Sequence, residues 1–147
     1  MSIDEKVTEN LVQTLEDGRN GYAQAADKLA EDNPEAASTF RKLSTQRAQF
    51  SQELRGLAGA YGDEIDESGS AAAALHRGWI SLRDAINGSN PDGVFAAVKQ
   101  GENHAVSEFE NALGEDISDG LRLIAQRQLG DITMARDGVE RLLSSGT

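Results

Sequence analysis

The chain has no cysteine, so disulfide bonds, thiolate metal sites and cysteine nucleophiles are excluded. It has no apolar run near the ~18 residues that a membrane-spanning helix needs. The N-terminal residues also lack the basic segment and apolar core of a secretory signal. These absences predict a cytoplasmic protein with no membrane association.

Basic residues are few, with 14 Lys and Arg against 25 Asp and Glu, for a net charge of −11. A surface of that sign repels phosphate backbones and anionic lipid headgroups. Nucleic acid and membranes are therefore not expected as partners. The length of 147 residues fits one domain covering 1–147, large enough to bury its own core.

Apolar and polar residues do not alternate with period two over the length of a strand, and apolar residues recur instead with helical periodicity. Apolar residues recur at spacings of three and four from Val7 to Leu29, after a Ser2-x-x-Glu5 capping box. This predicts a first helix over residues 4–31. Asn33-Pro34 opens a second, over 34–61.

A glycine-bounded acidic stretch at 62–69 reads as a solvated loop, and three further helices follow it. The third carries Trp79 within an apolar seam from Ala72 to Ile86. The fourth begins at Pro91, and Asp116 with Asp119 opens the fifth.

The lengths predict how these helices pack. Four long helices (1, 2, 4 and 5) and a shorter third suit an all-α four-helix bundle in which the third helix is the crossover. With antiparallel neighbours, that crossover leaves helix 4 parallel to helix 2.

One residue interrupts the apolar seam near the middle of each long helix: Gly18, Arg47, Glu102 and Gln128. A buried charge is seldom left alone, because removing it from water costs several kcal/mol, of order 5. We therefore expect Arg47 and Glu102 to pair, Gln128 to share their layer, and Gly18 with Gly21 to let helix 1 approach closely. This layer is interpreted as structural, with a small-ligand site, a metal site or surface exposure as alternatives.

Four sequence blocks stand out: Leu15-Glu16-Asp17-Gly18 with Gly21-Tyr22, Arg47-x-x-Phe50, Leu75-His76-Arg77-x-Trp79, and Gly101-Glu102 with Phe109-Glu110. Together they resemble a bacterial four-helix-bundle family that is classed as a domain of unknown function within the ferritin-like superfamily. The resemblance covers nearly the whole chain and implies a ferritin-like fold. It implies no activity, and it marks Gly21, Tyr22, His76, Arg77 and Trp79 as family-motif residues.

A ferritin-like di-metal site needs two Glu-x-x-His pairs, and this chain has only two histidines. Ala73 and Gly101 stand three residues before them, so neither pair is complete. No cofactor is expected on this ground. The alternative is an atypical iron, manganese or zinc site around Glu102, Glu16 and Asp131.

Other residues have simpler interpretations. Trp79 is expected to be a core anchor, His76 a core-edge residue and His104 a solvent neighbour. Three glycines of helix 5 are expected at close contacts, within the bundle or in a dimer: Gly120, Gly130 and Gly138.

No catalytic constellation can be identified in the sequence. The first hypothesis is a non-enzymatic bundle that forms a homo-oligomer, expected to be a dimer, or binds a protein partner. The alternative is a metal protein built on the atypical carboxylate set.

Overall fold

A computed structural model describes residues 2–60, 77–88 and 91–145, and this part of the chain consists of helices joined by turns, with no strand. A 3-10 turn at Arg77–Trp79 precedes the third helix. The five α-helices are α1 (Ile3–Leu29), α2 (Pro34–Ala60), α3 (Ser81–Asn87), α4 (Pro91–Leu113) and α5 (Asp119–Ser145). The all-helical bundle predicted from the periodicity is confirmed.

The helix starts follow local capping chemistry. The Ser2 hydroxyl accepts a hydrogen bond from the Glu5 amide at 3.0 Å, as the capping box predicts. The Asn33 side chain accepts from the Ala36 amide at 3.1 Å, which places Pro34 at the first helical position.

The start of α5 differs from the prediction. Its first turn is capped by Ser118, whose hydroxyl accepts from the Leu121 amide at 3.4 Å, and not by Asp116. The Ser118 amide in turn donates to Asp4 at 2.9 Å, which ties this start to the beginning of α1.

The long helices form a ring in which each contacts two neighbours. α1 packs on α2 and α4, and α5 packs on α4 and α2. Contacts such as Ser44 with Arg19 and Ser51 with Glu16 show that α1 and α2 are antiparallel. The other neighbours are antiparallel too, so α2 and α4 are parallel and lie diagonally across the bundle.

The core consists of two apolar clusters, one toward each end. One is built around Tyr22, Phe40, Trp79 and Phe95, and the other around Leu11, Leu15, Phe50, Phe109 and Ile132. On α1, α2 and α4, respectively, Gly18, Arg47 and Glu102 lie between the two clusters. The polar layer therefore divides one continuous helical frame into two packed halves.

The predicted third helix over 72–86 is confirmed at its end, where Ser81–Asn87 is α-helical and stops at Gly88, but the α-helix does not extend back through Trp79. A 3-10 turn carries Trp79, and the α-helix that follows is only seven residues long. Gly78 in this turn packs directly on α4, because a Cβ atom there would lie 2.3 Å from the Cβ of His104. Only a glycine in this tight turn lets the crossover lie against α4. Residues 61–76, including the predicted loop and His76, lie outside the described residues.

The expected close contacts of Gly130 and Gly138 on α5 are not found within the described bundle. A Cβ atom at Gly130 would meet nothing within 4 Å, and one at Gly138 would meet only Arg141 at 3.7 Å. Among the described residues, no helix is long and apolar enough to cross a membrane.

Two glycines in helix interiors give a matched test of packing. A Cβ atom at Gly56 on α2 would meet no described residue within 4 Å, whereas at Gly21 on α1 that atom would lie 2.2 Å from the Trp79 ring. We expect Gly56→Ala to raise the free energy of unfolding by ~0.5 to 1 kcal/mol, because alanine has the higher helix propensity.

Gly21→Ala gains the same propensity but displaces a buried indole, so it should lower stability by ~1 to 3 kcal/mol. Urea unfolding followed by circular dichroism measures both changes. Equal stabilisation by the two alanines would show that Trp79 does not fill the space beside α1.

Candidate functional site

The centre of the bundle holds a bidentate ion pair between Arg47 of α2 and Glu102 of α4. Arg47 Nη1 donates to Glu102 Oε1 at 2.5 Å, and Nη2 donates to Oε2 at 2.7 Å. The Arg47 and Glu102 side chains are 1% and 0% exposed. The pair therefore joins the two diagonal helices through the bundle axis, where the apolar seams predict a contact.

The remaining nitrogen of the guanidinium and its flat face are also occupied. Arg47 Nε donates to the side chain of Gln46 at 3.2 Å. The Tyr22 ring packs against the guanidinium, with 5.3 Å from Arg47 Cζ to the ring centroid, a cation–π contact. Burial alone would lower the pKa of Arg47, but the charge of Glu102 and its hydrogen bonds outweigh that effect and raise it. Arg47 is therefore a permanent cation at the centre of the molecule.

Tyr22 connects this layer to the aromatic end of the core. Its ring lies 5.2 Å from that of Trp79 and 5.4 Å from that of Phe40, measured between centroids. Its hydroxyl makes no hydrogen bond within the described part of the chain. Burial, reinforced by the negative charge of Glu102, raises the pKa of Tyr22 well above its usual value of 10.0, although Arg47 opposes the shift. The phenol is thus held neutral beside two full charges.

Glycines fit the helices around these side chains. A Cβ atom at Gly18 would lie 3.4 Å from Arg47 Nη1, so the expected close approach of α1 to the pair is present there. Gly21 has a different neighbour from the one expected, because its missing side chain makes room for Trp79. Gly101 of α4 does the same from the other side, with 2.2 Å from a Cβ position to Trp79 Cε2. The indole is held between two glycines of α1 and α4.

Gln128 does not belong to the central layer, contrary to the prediction. It is fully buried, but its amide donates to the Phe50 carbonyl at 3.2 Å and to Glu53 at 2.9 Å. On α5 the two core clusters meet between Ile132 and Val139, about a turn or more beyond Gln128. Spacing within one helix could not reveal this offset, because it depends on how far α5 is shifted along its neighbours.

A second buried carboxylate, Glu16 of α1, joins α1 to α2. It accepts hydrogen bonds from Arg19 at 2.6 Å, from Ser51 at 3.0 Å and from Arg55 at 3.2 Å. Its two oxygens are therefore engaged by two guanidinium groups and a hydroxyl. The sequence analysis did not predict this cluster. The available signal was that Ser51 and Arg55 are four residues apart, each directly after an apolar seam residue of α2, and so share one face of the helix.

The histidines differ from the expectation where they are described. His104 packs against Gly78 of the crossover and is only 24% exposed, so solvent is not its main neighbour. Its Nε2 atom lies 3.8 Å from Glu108 one turn along α4. His76 and the side chain of Arg77 lie outside the described residues, and their motif roles stay predictions.

The donor groups do not suit the metal that a ferritin-like fold implies. Both oxygens of Glu102 face a permanent cation, which would repel a metal ion, and Glu16 is engaged by two more cations. No group of three His, Cys, Asp or Glu among residues 2–60, 77–88 and 91–145 is placed to hold a metal. The alternative set of Glu102, Glu16 and Asp131 is thus not brought together.

Sequence reasoning missed the role of Gly101. It stands directly before Glu102, so the same turn of α4 provides the slot for Trp79 and the partner for Arg47. The available signal was the glycine itself, which is unfavourable inside a helix unless something packs closely on it.

The chain belongs to a family described as a domain of unknown function (DUF2383), whose model matches residues 5–115. The matched region contains α1 to α4, including Gly18, Gly21, Arg47, Trp79 and Glu102. All of α5 lies beyond it. A comparison with curated proteins finds no match.

The central ion pair predicts strongly non-additive mutations. Arg47→Leu leaves the Glu102 carboxylate buried without a partner and should lower the free energy of unfolding by ~3 to 5 kcal/mol. Replacing both residues by leucine removes both charges and should cost far less, close to neutral. Chemical unfolding of the two single variants and the double variant measures the coupling. Equal losses from the single and double changes would mean that the contact contributes nothing.

The neutral phenol predicts a loss of stability at alkaline pH. Because the pKa of Tyr22 is raised in the folded state, the unfolded chain ionises first, and stability present below pH ~10 is lost as the pH rises further. The loss from this residue should approach ~1.4 kcal/mol per pH unit.

The control is Tyr22→Phe, which keeps the ring and removes the ionising group. Urea unfolding at pH 9, 10 and 11 should show a steeper decline for the wild type than for this variant. Parallel declines would place the Tyr22 hydroxyl in contact with water.

Proposed function

We propose that this chain is a non-enzymatic helical-bundle module that acts by binding, either to a second copy of itself or to a protein partner. Its polar midline is a structural layer that takes the place of a ferritin-like metal site. The proposal includes a ferritin-like ancestry, a bacterial origin and a cytoplasmic location.

The observation that carries the proposal is the position of the Arg47 guanidinium. It is a fixed cation between diagonal helices, at the depth where a bundle of this kind would hold a metal ion. Glu102 satisfies it with two charge-assisted hydrogen bonds, at 2.5 and 2.7 Å. Both oxygens of Glu102 are engaged by Arg47, which disfavours a role for this carboxylate as a base or as the ligand of an added cation.

A structural role also agrees with what the layer does to the fold. Glu102 and Arg47 can meet in only one axial register of α2 and α4, and a slip of one turn would bury both charges unpaired. Such a pair selects one packing from the many that apolar seams allow, as buried polar groups do in some coiled coils. The module would then present a rigid outer surface to its partner.

Metal analysis of protein purified without added metals or chelators tests the proposal. We expect iron, manganese and zinc each at well below one equivalent per chain. The melting temperature should be unchanged by these ions or by a chelator, because a ligand that does not bind the folded state cannot stabilise it.

The matched variant is Glu102→Ala. On the structural account it strands Arg47 in the core and destabilises the fold by ~3 to 5 kcal/mol. A variant that stays as stable as the wild type but loses a stoichiometric metal would overturn the account in favour of the carboxylate metal site.

A further inference from the structure

The bundle has two sides of different charge. α1 carries six acidic and three basic residues, and α4 four acidic and one basic. α2 carries two acidic and four basic residues, and α5 four of each. α1 and α4 are neighbours, as are α2 and α5. Without the buried Glu16, Asp17, Arg47 and Glu102, the α1–α4 side has seven acidic and four basic residues, and the α2–α5 side has six acidic and seven basic. The excess negative charge of the four long helices therefore lies on the α1–α4 side. The described crossover packs on that acidic α1–α4 side.

The α2–α5 side is thus where two copies of a chain with charge −11 can approach with least repulsion. Charge balance alone does not make an interface, but this side also carries an exposed apolar side chain and a groove that could receive it. Met134 of α5 is 71% exposed, the largest exposed fraction among the large apolar side chains of the described residues. It is a flexible apolar side chain suited to filling a groove.

A groove of about 430 Å³ lies between α2 and α5 on the same side. Thr39 and Leu43 line it from α2, and Ala135, Gly138 and Val139 are among its residues on α5. Its centre lies about five residues, or ~8 Å, beyond Met134 along α5. Met134 is four residues before Gly138, and residues four apart share a helix face, so the exposed side chain and the groove are neighbours on α5.

This arrangement is self-complementary under a two-fold rotation. An axis perpendicular to α5 near Gly138 would carry Met134 of each copy toward the groove of the other, which is how a symmetric interface reuses one surface patch. In this register Leu123 would lie past the end of the partner's α5. Gly138 has no side chain, so the two copies of α5 could approach each other closely at the axis.

We propose that the α2–α5 side is a homodimer interface in which Met134 enters the partner's groove beside Thr39 and Leu142. The inference rests on the proposed function, because it specifies the surface by which the module would bind a second copy.

The first experiment compares equal charge insertions on one helix. Met134→Asp places a charge in the proposed groove, whereas Leu123→Asp alters a residue that is 67% exposed and lies outside the proposed contact. Sedimentation equilibrium should show a dimer for the wild type and for Leu123→Asp. Met134→Asp should raise the dimer dissociation constant by about tenfold or more. Circular dichroism should show unchanged helicity in both variants.

The second experiment uses the absence of native cysteine. Gly138→Cys places a thiol near the proposed axis, where the only described neighbour of its Cβ atom is Arg141 at 3.7 Å. Mild oxidation should convert it to a disulfide-linked dimer. The control, Glu110→Cys on the exposed part of α4, should remain unlinked.

The possible failures are distinct. A dimer that survives Met134→Asp, or that crosslinks through Glu110→Cys and not through Gly138→Cys, would overturn the proposed interface while leaving self-association intact. A wild-type chain that stays monomeric at about 0.1 mM, a weak-binding concentration, would overturn the interface and leave only a different protein partner for the module.

Discussion

The ion pair between Arg47 and Glu102 is the interaction on which the rest of the structure depends. It crosses the axis between two parallel helices that face each other diagonally, and it separates an aromatic half-core from a largely aliphatic one. Moving two charges out of water is costly, so the pair need not add net stability. What it imposes is a single alignment, because every other axial position of α2 against α4 leaves a charge without its counterpart.

The second constraint is the presence of three glycines, which have no side chains, near this layer. Gly18 lets α1 approach the guanidinium, and Gly21 and Gly101 provide the slot for Trp79. Each glycine weakens its own helix by ~1 kcal/mol relative to alanine. The packing of one arginine and one indole offsets that cost, so stability in this region comes from tertiary contacts and only weakly from helix propensity.

Much of the fold could be predicted because periodicity and caps are local signals. Ser2, Asn33 and Pro34 start helices where the sequence indicates, and the heptad seam of α2 identifies Arg47 as an inward residue. The errors arose where position depends on partners. Gln128 has the spacing of a midline residue, but the offset of α5 places it beside Phe50. Trp79 fits a helical seam, but it lies on a 3-10 turn in which Gly78 packs on His104.

The comparison with the family model divides the molecule in an informative way. The matched region, residues 5–115, contains the ion pair, the glycines and the indole, whereas all of α5 lies beyond it. The features that set the internal architecture are therefore concentrated in the matched region.

Trp79 is the only tryptophan, and it is 1% exposed where the crossover meets α1 and α4. Its intrinsic fluorescence is consequently a built-in optical reporter of crossover docking, which can be followed separately from the helical content of the bundle.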